Sequence, residues 1–243
     1  MDMQETLRYT VTLDDCDSQG FLDICRLADK AAAAATTRNR LEGAGRQVLM
    51  EKLHAVWMIH RIRLRQYRHA HIGDELVGYG SGRTLCGNQY AHFGELYLNG
   101  ELLASINVMI MPVVLKSRRR LNCKNIEPLF STPALNEAPS FEILPTLEDV
   151  EYSHEKSFTP DDCDSNASHL SFFRYPALMR DLLPAGKDEH PLISLLQLDY
   201  IRECVADSKI VLGCVPNGKG YTVQAKHKNG KPCFNAYVEY NAE

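Results

Sequence analysis

No run of 18 or more apolar residues occurs in the chain, so it holds no candidate for a membrane-crossing helix. Neither sign of charge dominates, because 27 Lys and Arg against 31 Asp and Glu leave a formal net charge of −4 and a pI near 6.1. That balance supplies no general electrostatic drive toward nucleic acid or a membrane surface, and neither is an expected partner. None of the eight cysteines (Cys16, Cys25, Cys86, Cys123, Cys163, Cys204, Cys214 and Cys233) belongs to a C-x-x-C pair. Scattered thiols in a chain of 243 residues read as reduced core residues of a cytosolic protein, and this spacing argues against a zinc site. The opening segment MDMQETLRYT is acidic and has no apolar centre, so it is not expected to act as a secretory signal. A cytoplasmic protein is therefore expected. Against these absences stands bulk: 44% hydrophobic and 24% charged residues suffice for one large core or two smaller ones.

The chain repeats itself. TLDDCDSQGFLDICRLA near the start returns as TPDDCDSNASHLSFFRYPA, with Asp14-Asp15-Cys16-Asp17-Ser18 matching Asp161-Asp162-Cys163-Asp164-Ser165. The second copy then has one extra residue, after which Leu22 and Arg26 match Leu170 and Arg174. Further on, YAHFGELYLNGELLASINVMIM is echoed by YTVQAKHKNGKPCFNAYVEYN, each with an Asn-Gly turn (Asn99-Gly100, Asn229-Gly230) followed by an alternating run. Two echoes in the same order point to duplication. Each half reads as a short strand (residues 6–13 and 149–158), the DDCDS loop, and a helix (residues 22–41 and 169–183). The first helix has the strongly helix-forming Ala31 to Ala35 at its centre and Gly43 as its stop. Pro176 predicts a kink or a late start in the second. Strand-like runs follow, at 53–67, 72–86, 88–98 and 101–113, then at 194–205, 208–215, 219–228 and 232–240. Residues 122–147, with Pro128, Pro133, Pro139 and Pro145 and no periodicity, read as a linker. The expectation is an α+β protein whose antiparallel sheets each wrap one helix, with residues 1–121 as the first module and 148–243 as the second.

Several motifs resemble one family. Asp162-x-Asp164-x-Asn166, then His169 and Tyr175, is similar to the D-x-D-x-N-x-H-x-N-N-x-x-Y segment of plant and bacterial acyl-acyl carrier protein (acyl-ACP) thioesterases. LDYIRECVADS, from Leu198 to Ser208, resembles their L-E-Y-R-R-E-C-x-x-D-S strand. Trp57-x-x-x-Arg61, Ile72-Gly73-Asp74 and SINVMIM followed by SRRRL resemble the family's W-x-x-x-R, W-G-D and S-V-W-V-M-M/T-R-R-L segments, in order over about 200 residues. The resemblance implies two fused hot-dog modules and thioester hydrolysis. It assigns the catalytic roles to Asp164, Asn166, His169 and Glu203, and places Cys204 where the family has a cysteine once considered a nucleophile. The sequence departs from the family where Ala167 and Ser168 intervene between Asn and His, and where Ser171 and Phe172 replace the two asparagines.

The chemistry suits those residue types. A carboxylate such as Glu203 or Asp164 can take a proton from water, His169 can assist as base or orienter, and Asn166 can donate to the thioester carbonyl. A helix N-terminus favours a developing oxyanion. Thiolate leaves readily, so no metal or other cofactor is expected. The same residues also have plainer readings: Asp161, Asp162, Asp164 and Ser165 are common caps before a helix, and Cys204 between apolar positions suits a core. The first copy lacks the Asn and His, so only the second half is expected to be catalytic, with the first holding the acyl chain. Trp57, Met58, Phe93, Met109 and Met111 are the candidate lining residues. The implied partner is acyl carrier protein, which is acidic. Arg61, Arg63 and Arg65 on one strand face, or Arg118, Arg119 and Arg120, would supply a basic docking patch or a solvated face. A fused pair already supplies the two-module unit, so a monomer and a homodimer are both compatible with it. An acyl-CoA thioesterase of the same fold and a non-catalytic acyl-binding module remain as alternatives.

Overall fold

The computed structural model describes residues 3–135, 141–145, 147, 150, 154–163, 169–182 and 192–241. Helix α1 (Ile24–Leu41) starts where the Asp23 carboxylate accepts the Cys25 amide at 2.8 Å. Its alanine centre is there for contact: Ala31, Ala32, Ala34 and Ala35 are all buried. Strands β1 (Met3–Thr10), β3 (Glu75–Ser81), β5 (Gln89–Leu98) and β6 (Glu101–Val114) close around it. The approach is so tight that glycine is required on the sheet side. A Cβ on Gly80 would lie 2.4 Å from the Ala34 carbonyl oxygen, and one on Gly94 would lie 2.8 Å from the Ala35 nitrogen. Thr6 Oγ1 donates to that same Ala34 carbonyl at 2.8 Å.

Strands β2 (Ala55–Gln66) and β4 (Thr84–Cys86) complete the first half. The second contains β7 (His154–Ser157), β8 (Leu192–Tyr200), β9 (Lys209–Asn217), β10 (Gly220–His227) and β11 (Pro232–Asn241). Apart from β4, which pairs with β5, the strands form one sheet in the order β1-β3-β5-β6-β2-β8-β11-β10-β9-β7. Counted by equivalent strands of the two repeats, that order is a palindrome. The halves meet where like pairs with like, β2 antiparallel to β8 from Arg61↔Asp199 to Arg65↔Leu195. Ile62, Leu64, Leu196 and Leu198 on the inner face are completely buried, and the Arg61 guanidinium reaches the Asp199 carboxylate at 2.6 Å across the seam.

Besides the late start of the helix in the second half, which Pro176 anticipated, two features depart from the sequence expectation. A second helix, α2 (Arg46–Leu53), follows α1 and is stopped by His54 in the left-handed region, at φ 49°. The helix expected over residues 169–183 begins later. Ser171 is still extended, a 3-10 turn spans Phe172–Arg174, and α3 runs Tyr175–Leu182. Pro176 has no amide to donate and so fits only the first turn, while the Leu170 amide is committed to the Cys204 carbonyl at 2.7 Å. The stretch expected as linker is partly docked. Short 3-10 turns at Cys123–Asn125 and Glu127–Leu129 lie against the first half. Glu142 crosses the outer face of the β2–β8 seam, taking Arg63 at 2.8 Å and Gln197 at 2.7 Å.

Candidate active site

The turns that open the two DDCDS segments fold alike. In the first, the Thr12 amide and hydroxyl donate to Asp15 Oδ2 at 3.0 and 2.5 Å; in the second, Thr159 does the same to Asp162 Oδ2 at 2.9 Å for both. Burial works against the Asp15 charge, but hydrogen bonds from Thr12 and Tyr9 hold its carboxyl below the usual range; the Thr159 bonds do the same for Asp162. Both loops close with a bridge, Cys16↔Leu22 and Cys163↔Leu170. The extra residue of the second copy falls, in sequence, between the bridged Cys163 and Leu170.

Equivalent positions follow from these bridges. Phe21 pairs with His71, and His169 pairs with Val205; Leu22 donates to Ala70 as Leu170 donates to Cys204. His169 and Glu203 therefore occupy in the second half the places that Phe21 and His69 hold in the first. Phe21 and His69 touch, with ring centroids 4.8 Å apart. In the second half the same two places hold an imidazole and a carboxylate.

A cleft of about 1230 Å³ opens between the halves, at or above the upper end of ordinary small-ligand pockets. Its first-half wall is apolar, built from Val56, Trp57, Met58, Ile59, Ile110, Met111 and Val113. Trp57 is fixed by its indole N–H, which donates to the Ala44 carbonyl at 2.9 Å. The opposite wall carries His169, Phe172, Phe173, Tyr175, Tyr200 and Glu203. Around it stand Arg40, Arg46, Arg118, Arg120, Arg202 and Lys231, all exposed, with Glu203 the one carboxylate among the described lining residues. Arg118, from the first half, reaches Glu203 Oε1 at 3.2 Å, so the seam itself orients the carboxylate.

Of the residues singled out from sequence, His169, Glu203, Trp57, Met58 and Met111 line this cleft. Asp164 and Asn166 lie outside the described residues. Phe93 and Met109 are not among the lining residues: they sit opposite Asn107 and Arg61, on the outer face of the sheet that also carries Arg63. Cys204 is completely buried, and hydrogen bonds from Cys233 and Tyr175 lower its thiol pKa against the effect of burial. Arg61 and Arg63 are engaged by Asp199 and Glu142, whereas Arg118 and Arg120 stand at the cleft.

Sequence reading missed His60 and Asn39. A bulge between Ile59 and Arg61 turns His60 into the cleft wall, where burial, then Arg61 and Arg120, lower its pKa and favour the neutral ring. Asn39, only 3% exposed, lines the cleft with neither amide atom paired among the described residues. Its mid-helix place gives no local signal of that.

Two sheet-and-helix halves joined through like strands define the class of this fold: a double hot-dog. No protein-family model matches the chain, and no curated protein matches it. Among solved structures it is similar to an acyl-ACP thioesterase from Bacteroides thetaiotaomicron, with TM-score 0.79 and 14% identity over 98% of both chains. It is likewise similar to a 12:0-ACP thioesterase from Umbellularia californica, with TM-score 0.77 and 19% identity, covering 99% of this chain and 98% of that one. A Lactobacillus plantarum protein assigned as an oleoyl thioesterase superposes with TM-score 0.80 and 14% identity, over 99% and 96% of the two chains. At such identities the likeness fixes the fold, and the chemistry has to be argued from the cleft.

Proposed function

We propose that the chain is an acyl-ACP thioesterase, hydrolysing a fatty acyl thioester to free fatty acid and carrier in fatty acid biosynthesis. In this reading residues 1–121 form the acyl-binding module, 122–147 the linker and 148–243 the catalytic module. The observation that carries it is the cleft, where His169 and Glu203 of the second half face the apolar wall of Trp57, Met58 and Met111 in the first. A wall of that kind takes an alkyl chain by removing its surface from water, at about 0.8 kcal/mol per methylene. Glu203, assisted by His169, takes a proton from water as the water oxygen attacks the thioester carbonyl; the C–S bond then breaks and the departing thiolate takes up a proton. Asp164 and Asn166, which precede His169 in the sequence, complete the catalytic group by resemblance to the family.

The cationic rim favours an acidic carrier and the phosphate of its prosthetic arm, which an overall charge of −4 would not do by itself. Eight unpaired thiols fit a reducing, cytoplasmic setting. The rival is an acyl-CoA thioesterase of the same fold. Thiol release measured with one acyl group presented on carrier and on CoA separates the two. The proposal expects kcat/KM at least about tenfold higher on carrier, a difference of about 1.4 kcal/mol. Preference for CoA would assign the rival reading, and cleavage of neither would overturn thioester hydrolysis itself.

A further inference from the structure

Two thiols and an imidazole that are far apart in sequence converge beside the cleft. Cys204 lies in the loop after β8, while His227 ends β10 and Cys233 lies near the start of β11, the next strand of the hairpin. One ligand atom from each lies within 4.8 Å of the other two. We propose that Cys204, His227 and Cys233 form a binding site for a soft divalent cation of the zinc class.

The backbone builds this cluster without help from an ion. The β10–β11 register passes from Ala225↔Phe234 to Lys226↔Pro232, which leaves Cys233 as the extra residue of a bulge. Bulges re-aim side chains, and this one turns the Cys233 thiol toward Cys204. The Cys233 carbonyl accepts the amides of Ile201 and Arg202 at 2.8 and 2.9 Å, which ties the Cys204 loop to the bulge. On its other side Cys204 holds the Leu170 amide at 2.7 Å. Two donors are therefore fixed before any ligand arrives.

The donor chemistry points to one class of ion. Thiolate sulfur with imidazole nitrogen is the set that selects zinc over calcium or magnesium, which prefer oxygen. With Zn–S about 2.3 Å, two thiolates on one tetrahedral ion stand roughly 3.8 Å apart, inside the observed envelope. Both thiols are completely buried, whereas His227 is half-buried and lines the cleft, which provides the route of entry. Three protein donors leave a fourth position for water, as in zinc sites that keep an exchangeable ligand. The Tyr175 hydroxyl, buried against the Cys204 thiol, is placed to orient that sulfur. Spacing could not reveal the site, because no two of the three donors form a recognisable ligand pair along the chain. A bound ion would pin the hairpin to the loop carrying Glu203, yet the site does not depend on the proposed hydrolysis.

The test is a Co2+ titration of reduced, metal-stripped full-length protein, followed by displacement with Zn2+. The expected result is one Co2+ per chain, with thiolate-to-cobalt charge transfer and the intense visible bands of tetrahedral cobalt, abolished by one equivalent of Zn2+. Cys233→Ser and His227→Gln should each weaken binding by at least about 10–100-fold, while Cys123→Ser, in the other half, leaves it unchanged. Circular dichroism checks that each variant is folded, and His227→Gln, at a half-buried position, carries the test if Cys233→Ser is not. Absence of the charge-transfer band, or binding that survives His227→Gln unweakened, would overturn the site. So would a Cys204–Cys233 disulfide in the isolated protein that, once reduced, takes up no metal.

Discussion

Replacing Arg83 with Met is the sharpest test of how the first half is held together. The guanidinium is completely buried between β3 and β4. It donates to Glu42 at 3.1 Å, to Glu127 at 2.9 Å and to the Thr132 carbonyl at 2.8 Å, and lies 3.5 Å from the centre of the Phe130 ring. Methionine restores most of the bulk but none of the donors. Breaking a buried ion pair by removing one partner costs about 3–5 kcal/mol. Here the lower figure applies. Glu42 keeps Arg38 at 2.9 Å, and the Glu127 side chain, 32% exposed, keeps the Tyr90 hydroxyl at 2.6 Å and can rehydrate. For a chain of this size each kcal/mol moves Tm by about 2–4 °C, so a fall of roughly 6–12 °C is expected in thermal unfolding at neutral pH. The loss has a pH signature. Burial works against the Glu127 charge, but Arg83 and Tyr90 hold its carboxyl below the ordinary 4.5. Such a group stabilises the fold above its unfolded pKa, and the contribution disappears as pH falls through the folded value. The Met variant should therefore lose less stability on acidification than the parent. A fall in Tm under about 2 °C, or an unchanged acid profile, would refute the idea that this cluster clamps residues 127–132 onto the sheet.

Three further outcomes follow from the geometry. Gly94→Ala places a methyl 2.8 Å from the backbone of Ala35, so denaturant unfolding should show a loss of about 1–3 kcal/mol, and a neutral result would contradict the close helix–sheet contact. Arg118→Ala should cost under about 1 kcal/mol of stability, since the ion pair is well exposed. It should nevertheless lower kcat/KM on acyl carrier, because it frees Glu203 and removes a rim cation; unchanged kinetics would count against both roles. Met58→Trp narrows the apolar wall and should shift the acyl-length profile of hydrolysis toward shorter chains, an effect that identical profiles would exclude.

Much of this architecture was legible because it is local. The Asp15 and Asp162 turns need a threonine three residues earlier, and the Asn99-Gly100 hairpin needs two residues at positive φ, 52° and 79°. The long-range pairing was not legible. Arg61, Arg63 and Arg65 alternate like a solvated or docking face, but the partner of Arg61 is Asp199, across a seam that no periodicity marks. Phe93 and Met109 are apolar enough for a pocket, and only the register shows that they face outward with Arg61 and Arg63. His60 enters the cleft through a bulge, which a one-residue change in pairing creates and composition does not encode. The candidate site divides in the same way: His169 and Glu203 stood out by motif, whereas Arg118 is tied to Glu203 only by the packing of one half on the other.

The central claim is that chemistry resides in the second half, although both halves carry the same loop. It is tested most directly by mutating pseudo-equivalent positions in parallel and measuring kcat on one acyl-carrier substrate. Glu203→Gln and His169→Ala should each lower kcat by about 10²–10⁴-fold, while His69→Ala and Phe21→Ala, at the matching places of the first half, should change it by less than about tenfold. Equal losses in both halves, or full activity in Glu203→Gln, would contradict it.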